Sequence, residues 1–129
     1  MTPDADDLPV VGSSARSLGV RVPDDIRPDG AGQVLPRSGG VSVSPGSMWN
    51  LPAFRRPRGM KRGSTGPISD WVYSSSLRSL AGAGSLTVRL DPDRPEEHAF
   101  VEPAYAMPVE AYVMAIGATR PHWQRAWPS

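Results

Sequence analysis

The density of residues that interrupt regular structure is what most constrains the fold of this chain. Fifteen prolines and thirteen glycines are distributed over 129 residues. Proline fixes φ and has no N–H to donate, and glycine weakens helices and strands through its backbone entropy. The sequence therefore predicts short elements joined by many turns and argues against a bundle of long helices. Because only 39% of the residues are hydrophobic, they suffice for one small core and one domain.

Features that are absent from the sequence exclude several classes of protein. Without cysteine there is no disulfide scaffold, no thiolate nucleophile and no cysteine-ligated metal, and two histidines are few for a metal site. No apolar run approaches the ~20 residues of a membrane-spanning helix. The acidic start MTPDADDLP lacks the basic and apolar regions of a signal peptide. We therefore expect a soluble, cytoplasmic protein without a metal cofactor.

Charge is distributed unevenly along the chain. The formal net charge is +1, but residues 1–29 carry six acidic side chains, whereas residues 30–69 carry six basic side chains and no acidic one. The basic residues are Arg37, Arg55, Arg56, Arg58, Lys61 and Arg62. Such a segment attracts anions, which leaves three kinds of partner open: the phosphates of a cofactor, a nucleic acid, or the acidic surface of another protein.

Alternating apolar residues predict several short strands. Residues 1–16 show no periodicity and are expected to form a flexible acidic arm, followed by a folded domain over residues 17–129. In GVSVS, alternation puts Val41 and Val43 on the core side and Ser42 on the other side. The predicted strands are LGVRV (18–22), GVSVS (40–44), WVYSSSL (71–77), SLTVRLD (85–91) and HAFVE (98–102).

The last part of the chain predicts an amphipathic helix. Val109, Tyr112, Val113 and Ile116 have the i, i+3, i+4, i+7 spacing of one helix face, and Pro108 suits the first turn. We expect these four side chains to pack against a sheet. Strands followed by a terminal helix indicate the α+β class.

Five polar residues are candidates for a site because of their positions on predicted strands. Arg21 lies between apolar neighbours, where a guanidinium needs either a bound anion or a structural ion pair. Ser42 and Ser44 are either site residues or simply the hydrated face of their strand. His98 and Glu102 share one face of a strand and can converge on one cleft, although each residue type is also common on protein surfaces.

The segment FRRPRGMKR, residues 54–62, combines basic and aromatic side chains. Such a surface can bind RNA, with Trp49 and Phe54 as platforms on which bases stack. The alternative is a solvated basic loop. The nearly balanced charge of the whole chain argues against a protein dedicated to nucleic acid.

Taken together, the segments GGVSVS, NLPAFRRP and HAFVEPAYAMPVEAYVMAIGATRPHW resemble the type VI secretion effector family of ADP-ribosyltransferase-like toxins. The resemblance runs from about residue 18 to the C-terminus, and its best part is the run of His98, Pro103, Ala104, Met107 and Glu110. It implies an ADP-ribosyltransferase-like split β-sandwich with a C-terminal helix and a cleft that binds NAD. It also implies a toxin of bacterial competition, acting in a bacterial cytoplasm and neutralised by an immunity protein or antitoxin.

The same resemblance implies roles for individual residues. Arg21 would anchor NAD, Ser42 would support the site, and Glu102 would stabilise the ribosyl cation. We also expect Ser44 to bind NAD and Glu102 to sit across the cleft from Ser42. His98 would assist Glu102 or take over its polar role. These residue types suit the chemistry, because a guanidinium pairs bidentately with pyrophosphate and a carboxylate stabilises an oxocarbenium-like transition state.

Two functional hypotheses follow. The first is an NAD-dependent ADP-ribosyltransferase or NAD glycohydrolase, in which Arg55 and Arg56 add to the binding of the NAD phosphates. The second is a non-catalytic module that binds RNA or a protein through the basic loop 55–62. Binding of NAD distinguishes the two hypotheses.

Overall fold

The structure is a computed structural model that describes all residues from 1 to 129. Its longest strands have five residues and its longer helix has ten. Neither helix has the length and apolar character needed to cross a membrane. The regular elements, in chain order, are β1 (Gln33–Val34), β2 (Val41–Val43), β3 (Val72–Ser74), α1 (Leu77–Ala81), β4 (Leu86–Leu90), β5 (Ala99–Pro103), β6 (Met107–Pro108), α2 (Val109–Ala118) and β7 (Gln124–Trp127).

The strands form three small antiparallel sheets, which confirms the α+β class. Strands β2, β5 and β4 make a three-stranded sheet in that order, and β1–β6 and β3–β7 make two-stranded sheets. In the three-stranded sheet, Val41 and Val88 both lie opposite Val101 and pack toward the core. Ser42 and Arg89 both lie opposite Phe100, one residue further along, and therefore occupy the other face. The sheet thus has one apolar face and one largely polar face.

Two glycines let strand β2 approach its neighbours closely. Gly39 has φ +111°, and a Cβ placed on it would lie 2.6 Å from the carbonyl oxygen of Asp25. A Cβ on Gly40 would lie 2.6 Å from the carbonyl oxygen of Val101. Side chains at either position would displace β2, so the Gly-Gly pair fixes the place of Ser42 two residues later.

The core lies between the three-stranded sheet and helix α2, and Tyr112 joins them. Its hydroxyl accepts a hydrogen bond from the Val41 N–H at 3.0 Å and donates to the carbonyl oxygen of Val101. Burial raises the pKa of the Tyr112 phenol, so the hydroxyl stays protonated and can donate. The largest buried cluster consists of Leu18, Val20, Ile26, Val34, Tyr73, Leu80, Leu86, Val101, Met107, Tyr112, Ile116 and Trp123.

Helix α2 confirms the predicted terminal helix, but its inner face differs from the prediction. Tyr112 and Ile116, one helical turn apart, are buried, and Val109 packs against the core from the first turn. Val113 is 41% exposed. The expectation that Val113 packs against the sheet is therefore wrong, because the apolar stripe of α2 is narrower than the sequence pattern suggests.

Residues 18–22 do not form the predicted strand. Leu18 and Val20 are buried, as their alternation predicts, but Val22 is exposed. The chain turns instead, with the Asp25 N–H bonded to the Arg21 carbonyl oxygen at 2.6 Å. A carboxylate that satisfies the Arg21 N–H at 2.7 Å stabilises this turn, so the segment needs no strand partner.

The other predicted strands are confirmed with shifted ends, and several short elements were not predicted. The strand at 71–77 stops at Ser74, because the Ser76 hydroxyl accepts from the Ser79 N–H at 3.1 Å and starts helix α1. No helix was predicted here, although Ser76 directly before the apolar Leu77 is an N-cap signal. Strands β1, β6 and β7 were also missed, since β1 and β6 have only two residues each and β7 directly follows the helical pattern.

The acidic residues 1–16 lie against the rest of the protein. The Tyr73 hydroxyl donates to the carbonyl oxygen of Asp7 at 3.0 Å. Both terminal nitrogens of Arg120 lie 2.7 Å from the Asp6 carboxylate. These contacts join the segment to β3 and to the turn after α2, while the domain boundary at residue 16 stays a prediction.

Candidate functional site

Polar side chains gather on the outer face of the three-stranded sheet. His98, Phe100 and Glu102 alternate along β5 and the residue before it, so all three point to this side. Asp91 follows β4 directly, and its N–H bonds to the carbonyl oxygen of His98 at 2.9 Å. We call this region the polar face; it comprises Ser42, Arg89, Asp91, His98, Phe100 and Glu102.

A chain of hydrogen bonds links three of these residues. The Ser42 Oγ lies 2.9 Å from His98 Nε2, and the Asp91 Oδ2 lies 2.7 Å from His98 Nδ1. Asp91 is held in turn by the Asp93 N–H, which donates to its Oδ1 at 2.9 Å. Sequence neighbours thus fix the carboxylate, the carboxylate fixes the imidazole, and the imidazole reaches the serine on a neighbouring strand.

The hydrogen-bond partners of His98 determine which of its ring nitrogens carries a proton. An ionised carboxylate only accepts, so His98 Nδ1 must carry a hydrogen and donate it to Asp91. In the neutral imidazole, Nε2 is then an acceptor, and the Ser42 hydroxyl donates its proton to it. The remaining lone pairs of Ser42 Oγ are free to accept from a ligand.

The hydrogen-bonded chain of Ser42, His98 and Asp91 is accessible from solvent but partly shielded. Ser42 is exposed, whereas the side chains of His98 and Asp91 retain 18% and 13% of their accessible surface. The guanidinium of Arg94 lies 4.0 Å from the Asp91 Oδ2 and adds a positive charge at the outer edge. A ligand can therefore reach the serine and one edge of the imidazole without unfolding the sheet.

The Asp91 carboxyl gives a testable pH dependence. The hydrogen bond from His98, with further help from the Asp93 N–H, lowers the pKa of Asp91 below its ordinary value of 3.8. A lowered folded-state pKa stabilises the fold above the ordinary value, and this contribution is lost as the pH falls through the lowered value. The melting temperature of wild type should therefore exceed that of Asp91→Asn at pH 6, and the gap should shrink below about pH 3.8. A gap that is constant down to pH 2 would contradict the hydrogen bond from His98 to an ionised Asp91.

Phe100, Arg89 and Glu102 form a second group of contacts on the polar face. The Phe100 ring lies edge-on to His98, with 4.6 Å between centroids, and the Arg89 guanidinium lies 4.7 Å above the same ring. Glu102 accepts from Arg89 Nε at 3.0 Å and from the Arg37 N–H at 3.0 Å. The carboxylate of Glu102 thus fixes the position of Arg89.

The placement of Glu102 differs from the prediction. His98 and Glu102 do share one strand face, as expected. However, Glu102 is buried and paired with Arg89, and its strand is the immediate neighbour of the strand that carries Ser42. Glu102 and Ser42 therefore lie on one surface rather than across a cleft, because β2 and β5 are adjacent in the sheet.

Arg21 and Ser44 are not in hydrogen-bond contact with the chain of Ser42 and His98. The Arg21 guanidinium lies 3.3 Å from the Asp25 carboxylate, so its charge is already partnered. Ser44, half-buried after the end of β2, has no side-chain hydrogen bond. The assignment of both residues to NAD binding stays a prediction.

Arg55 and Arg56 lie outside the polar face, in the basic segment. The Arg55 Nη1 donates to the carbonyl oxygen of Ala15 at 2.9 Å, and the guanidinium lies 5.1 Å from the Phe54 ring. Arg56 is half-buried, and its Nε is buried without a hydrogen-bond partner. Their contribution to NAD binding also stays a prediction.

Two cavities of the structure lie away from the polar face. The cavities, of about 380 and 280 Å³, lie around α1 and His122. None of the residues of the polar face lines either cavity.

Local sequence patterns predicted Ser42 and His98 as site residues but not Asp91, Arg89 and Phe100. Asp91 ends the strand pattern SLTVRLD, at a position that is typical of a turn residue. Its contact with His98 depends on the turn between β4 and β5. Arg89 alternates with Val88 and Leu90, which was a usable signal, since it placed a cation on the same face as Glu102 once the strands were paired.

No protein-family model, curated protein or solved structure matches this chain.

Proposed function

We propose that this protein is an NAD-dependent enzyme of the ADP-ribosyltransferase-like class and that NAD binds to the polar face. One observation carries the proposal: Ser42 and His98, two residues to which the sequence resemblance gives site roles, lie 2.9 Å apart on an accessible surface. They come from segments 56 residues apart in the sequence. The proposed fold is a small variant of the ADP-ribosyltransferase-like split β-sandwich, and the three antiparallel sheets with a C-terminal helix are compatible with it.

Ser42 and His98 suit the recognition of the nicotinamide riboside half of NAD. The Ser42 hydroxyl donates to His98, so its oxygen can accept from the carboxamide N–H₂ of nicotinamide or from a ribose hydroxyl. The exposed edge of the imidazole and the neighbouring Phe100 ring offer a surface against which a flat ring can pack. Hydrogen bonds and ring packing together would orient the glycosidic bond.

Asp91 supplies the electrostatic part of the proposed mechanism. When the bond between ribose C1′ and nicotinamide nitrogen breaks, nicotinamide leaves with the bonding electrons and positive charge develops on the ribose. With His98 neutral, the Ser42–His98–Asp91 chain carries one negative charge, which Arg94 offsets only partly at 4.0 Å. That charge would stabilise the ribosyl cation until a water or an acceptor side chain adds to C1′ and loses a proton.

In this mechanism Glu102 is a positioning residue. Its carboxylate is buried and neutralised by Arg89, so it does not face the ribose. It holds the Arg89 guanidinium over Phe100 and so stabilises the ring surface beside His98. This role replaces the direct stabilisation of the cation that the sequence resemblance implies for Glu102.

The direct test of the function is release of nicotinamide from NAD by the purified protein, measured by chromatography. Appearance of free ADP-ribose would show hydrolysis, and label transferred from radioactive NAD to proteins of a bacterial extract would show ADP-ribosylation. As a toxin, the protein should also arrest growth when it is expressed in a bacterial cytoplasm, and an immunity protein or antitoxin should restore growth. Absence of nicotinamide release with both water and extract present would overturn the proposal.

A second function is favoured by the same geometry. A serine hydroxyl bonded to an imidazole that is oriented by a carboxylate is also the arrangement of a nucleophilic serine in acyl transfer. In that case a fluorophosphonate probe should label Ser42 covalently, and simple esters should be hydrolysed while NAD stays intact. Labelling that is unchanged in Ser42→Ala would remove this alternative.

A further inference from the structure

We propose that a second surface, formed by basic and aromatic residues of the segment 49–62, binds single-stranded nucleic acid. We call it the basic aromatic surface. Its exposed members are Trp49, Phe54, Arg55, Arg58, Lys61 and Arg62.

The positive charge of this surface is not neutralised by the protein. No acidic residue occurs between residues 30 and 69. Arg55, Arg58, Lys61 and Arg62 take part in none of the ion pairs, whereas Arg16, Arg21, Arg89 and Arg120 are all paired with carboxylates. The surface therefore attracts an anion that the protein does not itself provide.

Two aromatic rings are exposed among these cations. The Phe54 side chain is 63% exposed and that of Trp49 43% exposed. The Arg55 guanidinium lies 5.1 Å from the Phe54 centroid, and the Lys61 Nζ lies 6.0 Å from the Trp49 centroid. Each ring thus has a cation beside it, which matches the alternation of base and phosphate along a single strand.

The segment that carries the rings is held in place by backbone contacts. The Thr65 N–H bonds to the carbonyl oxygen of Ala53 at 2.9 Å, and the Gly66 N–H bonds to that of Arg56 at 3.0 Å. A Cβ on Gly66 would lie 2.7 Å from the Arg56 carbonyl oxygen, so this contact requires glycine. Met60, buried between the exposed cations, anchors the middle of the segment. Phe54 is therefore presented by a fixed loop.

Exposed rings favour nucleic acid over an acidic protein as the occupant. An acidic protein surface needs only the cations, whereas unpaired bases also gain by stacking on the rings. The surface adjoins the polar face, since Asn50 Nδ2 donates to the carbonyl oxygen of Glu96 in the turn between Asp91 and His98. A bound strand would lie next to the proposed NAD site, but this inference does not depend on that site.

Fluorescence polarisation of a labelled 12-nucleotide oligouridylate and of oligothymidylate tests the proposal. If four phosphates are contacted, affinity should fall about 50-fold between 50 and 200 mM salt. The double variant Lys61→Glu/Arg62→Glu should lose binding at all salt concentrations, and Phe54→Ala should bind on the order of tenfold more weakly through loss of stacking. Arg78→Glu, a charge reversal of an exposed arginine on α1, is the matched control and should bind like wild type.

Three results would overturn the inference. They are no binding at 50 mM salt, an equal loss in the Arg78→Glu control, and binding of Phe54→Ala as tight as wild type. Tight binding of polyglutamate with no binding of either oligonucleotide would assign the surface to an acidic protein instead. Thermal unfolding of each variant shows that any loss of binding is not a loss of fold.

Discussion

His98→Ala is expected to lower the rate of nicotinamide release from NAD by about 100-fold or more. The imidazole is the only side chain that contacts both Ser42 and Asp91, so its removal separates the serine from the negative charge. Loss of a single oriented polar group in an active site costs about 10²–10³ in rate. His98 lies on the surface side of the sheet, outside the core cluster, so the variant should fold.

His122→Ala provides the matched control for this experiment. His122, the second histidine of the chain, is exposed in the turn after α2, and its side chain makes no hydrogen bond. Its replacement should leave nicotinamide release unchanged. Equal rates for wild type and His98→Ala would remove the polar face from the mechanism, whatever the activity of the protein.

Ile116→Asp is expected to unfold the protein. Ile116 is 2% exposed in the middle of the core cluster, and an aspartate there would be a buried charge without a partner. The cost should be about 4 kcal/mol or more, which is a large part of the stability of a small domain. Circular dichroism should show loss of the cooperative thermal transition.

Val113→Asp is the control for Ile116→Asp. The sequence pattern predicts that Val113 is buried, whereas the structure shows it exposed. Both residues belong to the apolar spacing of α2, but Val113 is 41% exposed. An aspartate at position 113 reaches water, so the melting temperature should change only slightly. If Val113→Asp unfolds the protein and Ile116→Asp does not, the orientation of α2 described above is wrong.

The sequence predicted the parts of the fold that depend on local alternation. GGVSVS and SLTVRLD became strands because apolar side chains at every second residue meet a core on one side. HAFVE became the central strand for the same reason, and its alternation also placed His98 and Glu102 on one face. The alternation of apolar residues did not predict the structure of LGVRV correctly, because an aspartate four residues after Arg21 stabilises a turn there.

The sequence could predict candidate site residues but not their contacts. The chain from Ser42 to His98 forms because β2 and β5 pair in one register, and no local pattern specifies that register. Asp91 contacts His98 because the turn between β4 and β5 brings them together, and no local sequence pattern specifies the shape of that turn. The burial of Glu102 likewise depends on Arg37, which approaches from a loop 65 residues away in sequence.

The most direct test of the proposed site is the proton NMR spectrum of the two histidine rings during a titration with NAD. His122→Ala assigns the two Cε1–H signals, because only one ring then remains. Binding of NAD at the polar face should shift the His98 signal progressively and leave the His122 signal in place. If NAD binds but the His98 signal does not move, or only that of His122 moves, the site lies elsewhere and the proposed mechanism is wrong.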